Sequence, residues 1–257
     1  MKTFLQFISE NNTGLNMDYI SSILNIKSIN IPPNDFTSVK YKKEIQFLFK
    51  DLYFPTSDKP TLSTSKIEED KLREYMDYLR GVSKTGYLDL FNSTVMRTYG
   101  PGEKLLYYIY DKCRLGGASS AGADIIFPEV SYEIKGARLS ANGFYVGFML
   151  GQTFSTKSII NKIYELATKD GYTKSEVPIS KMRELKEKFP KEFNELEREY
   201  ATLTYDNYFS KHQILFFNSA DTSARGGLLG IESVKKEDIF IGELTSGVIK
   251  PRVKKSK

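Results

Sequence analysis

Apolar residues recur at helical spacing in Thr3 to Ile8, Met17 to Leu24, Glu44 to Leu52 and Ile67 to Leu79, the pattern of helices that bury one face. Ile31-Pro32-Pro33-Asn34-Asp35 and Phe54-Pro55-Thr56-Ser57-Asp58-Lys59-Pro60 break this pattern. Proline removes a backbone donor and drives its predecessor out of the helical region, so both stretches are expected as loops. Residues 1–95 therefore form an expected mainly helical accessory or target-contacting region.

From Tyr99 onward the order changes to helix, two strands, further helices and more strands, which predicts an α/β (α+β) core over residues 96–257 with a central mixed sheet flanked by helices. Gly100-Pro101-Gly102 precedes a helix in which Leu105, Leu106, Ile109 and Cys113 share a face and Glu103 lies in the first turn. Gly116 to Gly122 is too flexible for regular structure and leads into a hydrophobic strand, Ala123-Asp124-Ile125-Ile126-Phe127. Pro128-Glu129 then connects to Val130-Ser131-Tyr132-Glu133-Ile134-Lys135, completing a hairpin that Gly136 is expected to end. Strict alternation puts Ser131, Glu133 and Lys135 on one side of that strand. Helices are expected over Ser158 to Leu166, Ser180 to Lys188 and Lys191 to Leu203, with Pro190 as an interruption. The strands Gln213 to Phe217, Leu228 to Val234 and Ile239 to Leu244 follow, with Val248 to Val253 at an edge.

Composition narrows the chemistry. The 257 residues contain one cysteine, Cys113, and one histidine, His212. Intramolecular disulfides, Cys-rich zinc sites and two-His metal motifs are excluded, and a reducing compartment fits. His212 opens an apolar run and is expected to be a structural strand-edge residue. The 37 Lys and Arg against 32 Asp and Glu give a net charge of +5, compatible with a polyanionic partner without requiring one. Five cations gather in Ile249 to Lys257, as a phosphate-touching or merely solvated tail. No apolar run approaches the length of a membrane span.

If the chain is an enzyme, carboxylates and lysine must carry the reaction. Hydrolysing a phosphodiester without histidine requires hard oxygen ligands for Mg²⁺, a way to generate hydroxide, and a cation to offset charge on the phosphate. Asp124 and Glu133 on paired strands supply the carboxylates, the Ile134 carbonyl a further ligand, and Lys135 an ammonium that orients water or stabilises the transition state.

Asp124, eight intervening residues and Glu133-Ile134-Lys135 resemble the active-site signature of the PD-(D/E)XK (restriction-endonuclease-like) nuclease superfamily, with Ala123 where that signature usually has proline. The resemblance implies a helix, a hairpin bearing the signature, a helix and a further strand, and it implies DNA hydrolysis with Mg²⁺, for which Mn²⁺ substitutes. It also implies a role for Glu103 as a second-metal or second-layer ligand, the alternative being a carboxylate that complements a helix N-terminus. Gln152 matches a polar position on the following helix of some relatives. Arg138 is read as a scissile-phosphate contact or an ordinary surface arginine. Ser119-Ser120 and the loop containing Arg225 are read as phosphate-gripping loops or plain turns.

A second resemblance lies at the start. Met1 to Glu10, ending Ile8-Ser9-Glu10, is similar to the capsid-targeting peptides of internal head proteins in T4-like phages, which implies packaging in a phage head and removal of residues 1–10. An amphipathic first helix is the other reading. The expectation from all of this is a phage-encoded endodeoxyribonuclease of the infected host's cytoplasm acting on double-stranded DNA, either as a homodimer with two sites for double-strand cutting or as a monomer that nicks. The rivals are a non-cleaving nucleic-acid-binding protein or virion structural protein on the same fold, and an exonuclease or junction resolvase using the same residues.

Overall fold

The computed structural model describes residues 62–82, 101–116, 123–150, 155–218 and 227–256. The chain divides into two compact units. Its elements make a mixed α+β protein in which a largely antiparallel sheet is flanked by helices.

The described part of the first unit holds helix α1 (Glu69–Val82), helix α2 (Pro101–Ile109) and the two-residue strands β1 (Arg114–Leu115) and β2 (Ile125–Ile126). In α1, Leu72, Tyr75 and Met76 are buried, the i, i+3, i+4 spacing of a single packed face. Pro101 does not merely precede α2 but begins it, as suits a residue whose missing N–H has no helical partner in the first turn. The helix ends at Ile109, so Cys113 lies beyond it, with Sγ 3.5 Å from the carbonyl oxygens of Leu106 and Tyr110. β1 and β2 pair antiparallel, Arg114 opposite Ile126 and Leu115 opposite Ile125. Phe127 behind them meets the edge of the Tyr110 ring at a centroid distance of 5.1 Å.

The second unit contains β3 (Ser131–Leu139), β4 (Phe144–Val146), helices α3 (Lys157–Lys169), α4 (Ile179–Lys188) and α5 (Pro190–Thr204), a π-helical turn (Tyr205–Phe209), and β5 (Gln213–Asn218), β6 (Leu228–Glu232), β7 (Ile239–Thr245) and β8 (Val248–Lys254). Its strands run in the order β7-β8-β4-β3-β5-β6. β3 and β5 are parallel, Glu133 opposite Ile214 and Lys135 opposite Phe216, so α3 to α5 form the crossover that parallel pairing requires. The helices turn Ile159, Ile163, Leu166, Met182, Leu185, Phe193, Leu196 and Tyr200 onto a core shared with Tyr145, Ile214, Phe216 and Val253. Within it the Tyr145 and Phe216 rings stack at 4.0 Å.

Several expectations change. Pro190 starts α5 rather than interrupting a helix: Phe189, with φ −127°, closes α4 and opens α5 in a single residue. Gly136 does not end β3, because its backbone continues the ladder opposite Phe217. β8 is not an edge strand. Ser246 and Gly247 adopt φ of 51° and 73°, making a two-residue hairpin turn that folds β8 onto β7, while β4 covers its other side. Pro251, which cannot donate to the ladder, is tolerated there beside a register shift at Gly242, where a Cβ would run into the Lys250 carbonyl. β4 was absent from the sequence reading; Gly143, at φ 74°, makes the turn that brings it back onto β3.

Candidate functional site

Glu133 and Lys135 sit on the face of β3 that carries Ala137 and looks toward the helices, the face shared by Ile214 and Phe216 on β5. The Lys135 Nζ donates to Glu133 Oε1 at 2.8 Å, with side chains only 18% and 11% exposed. The Tyr208 hydroxyl donates to the same oxygen at 2.5 Å, and the Lys135 ammonium lies 5.6 Å from the centroid of the Tyr208 ring. One aromatic side chain thus touches both members of the pair. Glu133 is buried, and a buried carboxylate needs hydrogen bonds and a cation of this kind to remain charged at modest cost.

Tyr208 reaches this position through the π-helical turn after α5, in which Ser210 N–H donates five residues back to the Tyr205 carbonyl at 2.9 Å. The wider turn advances the backbone by an extra residue, and such turns concentrate at functional sites. Sequence reasoning missed Tyr208. It lies 75 positions from Glu133, and an aromatic residue at the end of an amphipathic helix gives no signal beyond core packing.

His212 stands just before β5, half-buried, with Nδ1 2.7 Å from Ser131 Oγ. Burial holds its pKa below the ordinary histidine value, Lys211 adds to that effect, and the negative charge of Glu133 opposes it. The imidazole is consequently neutral around pH 7, and the strand-edge reading of His212 agrees with its place at the start of β5.

The remaining candidates are distributed as follows. Asp124, half-buried, belongs to the first unit and lies in a bend just before β2 rather than in mid-strand; its carbonyl accepts the Gly116 N–H at 2.8 Å. Glu103, half-buried, occupies the first turn of α2 in the same unit. Ile134 is opposite Leu215 in the second unit, on the other face of β3 from the Glu–Lys pair. Arg138 is exposed and, by the same alternation, also points away from that pair, its guanidinium lying over Gly147. Ser119, Ser120, Gln152, Arg225 and residues 1–10 lie outside the described residues.

Among the described residues no group of three or more His, Cys, Asp or Glu side chains is gathered to hold a metal ion. What the second unit does offer is Glu133 Oε2: both hydrogen bonds fall on Oε1, and Oε2 accepts none from the described residues. A carboxylate oxygen left open beside an ordered partner suits a hard cation that takes one or two carboxylates and keeps several waters. No helix among the described residues is long and apolar enough to cross a membrane. No protein-family model matches the chain, and neither does any curated protein or solved structure.

Proposed function

We propose that this chain is a metal-dependent endodeoxyribonuclease of restriction-endonuclease-like architecture, with Glu133 and Lys135 acting alongside Asp124 on a DNA phosphodiester. The observation that carries the reading is the Glu133–Lys135 pair, oriented through one carboxylate oxygen by Tyr208 while the other oxygen stays open. The element order supports it: a helix, a bend with Asp124 just ahead of β2, the strand β3 with the Glu-x-Lys, helices, and then β5 parallel to β3.

In this proposal Glu133 Oε2 would hold Mg²⁺, or Mn²⁺ in its place, with Asp124, the Ile134 carbonyl and Glu103 as the further ligands that the sequence implies. The bound ion would supply Lewis-acid polarisation of the phosphate and a lowered pKa for a bound water. Lys135 offsets negative charge on the phosphate as water adds to phosphorus and the bond to the leaving oxygen breaks. Tyr208 keeps the Glu133 carboxylate from turning both oxygens onto Lys135. A homodimer would bring two such sites to opposite strands, whereas a single chain would nick. A phage origin, with residues 1–10 as a packaging peptide, rests on the sequence resemblance alone.

The test is supercoiled plasmid incubated with Mg²⁺ or with EDTA, using the unaltered protein and folded Asp124→Ala and Lys135→Ala variants. Nicked or linear product that needs metal and is lost in both variants is expected. Cutting retained by both would sink the site assignment. No cutting by the unaltered protein on duplex, single-stranded or branched DNA would leave binding without cleavage as the better reading.

A further inference from the structure

β3, β4, β8 and β7 of the second unit have a second face, turned away from the buried core residues, and the registers determine what it carries. Arg138 pairs with Val146, Phe144 with Lys254, Phe240 with Arg252, and Glu243 with Lys250. The inward positions are the buried Tyr145, Val253, Ile249 and Ile239, so alternation turns the named residues outward. The single carboxylate among them, Glu243, is neutralised by Lys250 at 2.8 Å. Arg138, Arg252 and Lys254 make no ion pair among the described residues, the negative charge of Glu197 reaching Arg252 only at longer range.

Arg252 is the centre of this face. Its guanidinium lies 4.5 Å from the Phe144 ring centroid and 5.9 Å from that of Phe240, two rings that themselves meet edge to face at 5.6 Å. Its Nε is buried and has no hydrogen-bond partner among the described residues. The two rings hold the guanidinium by cation–π contact, and a guanidinium held in this way has the forked N–H donors that suit a bidentate oxyanion. Arg183 adds a further positive charge nearby, against which Glu197 acts. Flanking Arg252, Arg138 and Lys254 stand two strands apart, on the order of 10 Å.

We infer that this outer sheet face, centred on Arg252 between Phe144 and Phe240 and flanked by Arg138 and Lys254, is a docking surface for the phosphate backbone of duplex DNA. The inference rests on the nucleic-acid reading above and extends it to a surface away from the Glu133–Lys135 pair. Charge complementarity selects the occupant: three cations that make no ion pair among the described residues face a polymer that presents one negative charge per ~1.7 Å of axis. An acidic protein would need carboxylates matched to the same spacing. A lipid surface would need open apolar area, and Arg252 covers the Phe144 ring. The surface positions DNA without reading its sequence, since it offers cations rather than base-edge contacts.

The experiment is binding of a fluorescently labelled duplex of roughly 30 base pairs to the full chain in EDTA, measured by anisotropy over a salt series. Each phosphate contact contributes about 0.9 to the slope of log affinity against log salt. Arg138→Ala/Lys254→Ala should lower that slope by about 1.8 and weaken binding roughly 60-fold at 0.1 M salt. Arg252→Lys, which keeps the charge, should weaken binding with the slope unchanged. Lys174→Ala/Lys191→Ala, exposed cations elsewhere in the unit, is the control for net charge. An unchanged slope in the Arg138/Lys254 variant, or an equal fall in the control, overturns the inference. Plasmid cleavage with Mg²⁺ by the unaltered protein separates the two readings. Cleavage with an unchanged slope removes the surface and keeps the nuclease, and a lowered slope without cleavage does the reverse.

Discussion

Replacing Tyr208 by Phe removes one oxygen from a side chain that is 7% exposed and leaves the ring in place. The lost hydroxyl is one of the two donors to Glu133 Oε1. A hydrogen bond to a charged group is worth about 1.5–3 kcal/mol, which for a chain of this length corresponds to a fall of roughly 3–12 °C in melting temperature. That loss alone would be expected of any buried hydroxyl. Tyr208 acts as a positioning residue only if it matters more when metal is bound. Without it, Glu133 is free to turn onto Lys135, and binding the ion must first undo that arrangement. Removing such an orienting partner typically lowers metal affinity ~10–100-fold, about 1.4–2.8 kcal/mol at 1.4 kcal/mol per tenfold, the same range as the hydrogen bond. The measurements are a thermal melt in EDTA and the Mg²⁺ or Mn²⁺ concentration giving half-maximal plasmid nicking, with Mn²⁺ binding followed by calorimetry. A rise of at least tenfold in both metal midpoints is expected. A lowered melting temperature with metal midpoints unchanged within about twofold would refute the reasoning and reduce Tyr208 to a core contact.

Two further predictions concern the scaffold. A Cβ at Gly230 would overlap the hydroxyl of Tyr145, which donates to the buried Glu232 at 2.6 Å and whose ring is held against Phe216. Gly230→Ala should therefore cost about 1–3 kcal/mol in urea unfolding, and a variant as stable as the parent would show that Tyr145 has room to move. The Asp170 carboxyl is held below its ordinary 3.8 by hydrogen bonds from Lys181 and then Lys188. Its contribution to stability is complete above pH 3.8 and is lost as pH falls through the lower folded value. The parent protein should lose that increment in urea midpoint below pH 3.8, and Asp170→Asn should lack it. Parallel midpoint curves for the two proteins across that acid window would remove the ion pair from the account.

How much of this was legible in the sequence follows from the range of the interactions. The period of two in Val130 to Lys135 placed Glu133 and Lys135 together, and the 3.6-residue period located α3 to α5 to within a few residues, because both signals are local. The extent of β3 was not legible. Gly136 looks like a strand end, yet its backbone bonds to a strand some eighty positions away, and pairing at that distance overrides local propensity. The same limit hid the interior place of β8, which depends on β4 arriving from far up the chain. Tyr208 was invisible for a different reason: a π-helical turn is a matter of one backbone hydrogen bond, with no residue pattern to mark it.

The site divides along the same line. Alternation on β3 sends Glu133 and Lys135 into the helical side of the sheet, where burial and Tyr208 can orient a carboxylate, and sends Arg138 to the open side. A buried carboxylate needs a closely packed, satisfied environment, whereas cations that meet a polyanion lose little by remaining in solvent until it arrives. Each face therefore provides the dielectric surroundings its charges require. A strand running through Gly136 makes this division between the Glu–Lys pair and Arg138; one that stopped there would leave Arg138 in a loop, with no fixed face at all.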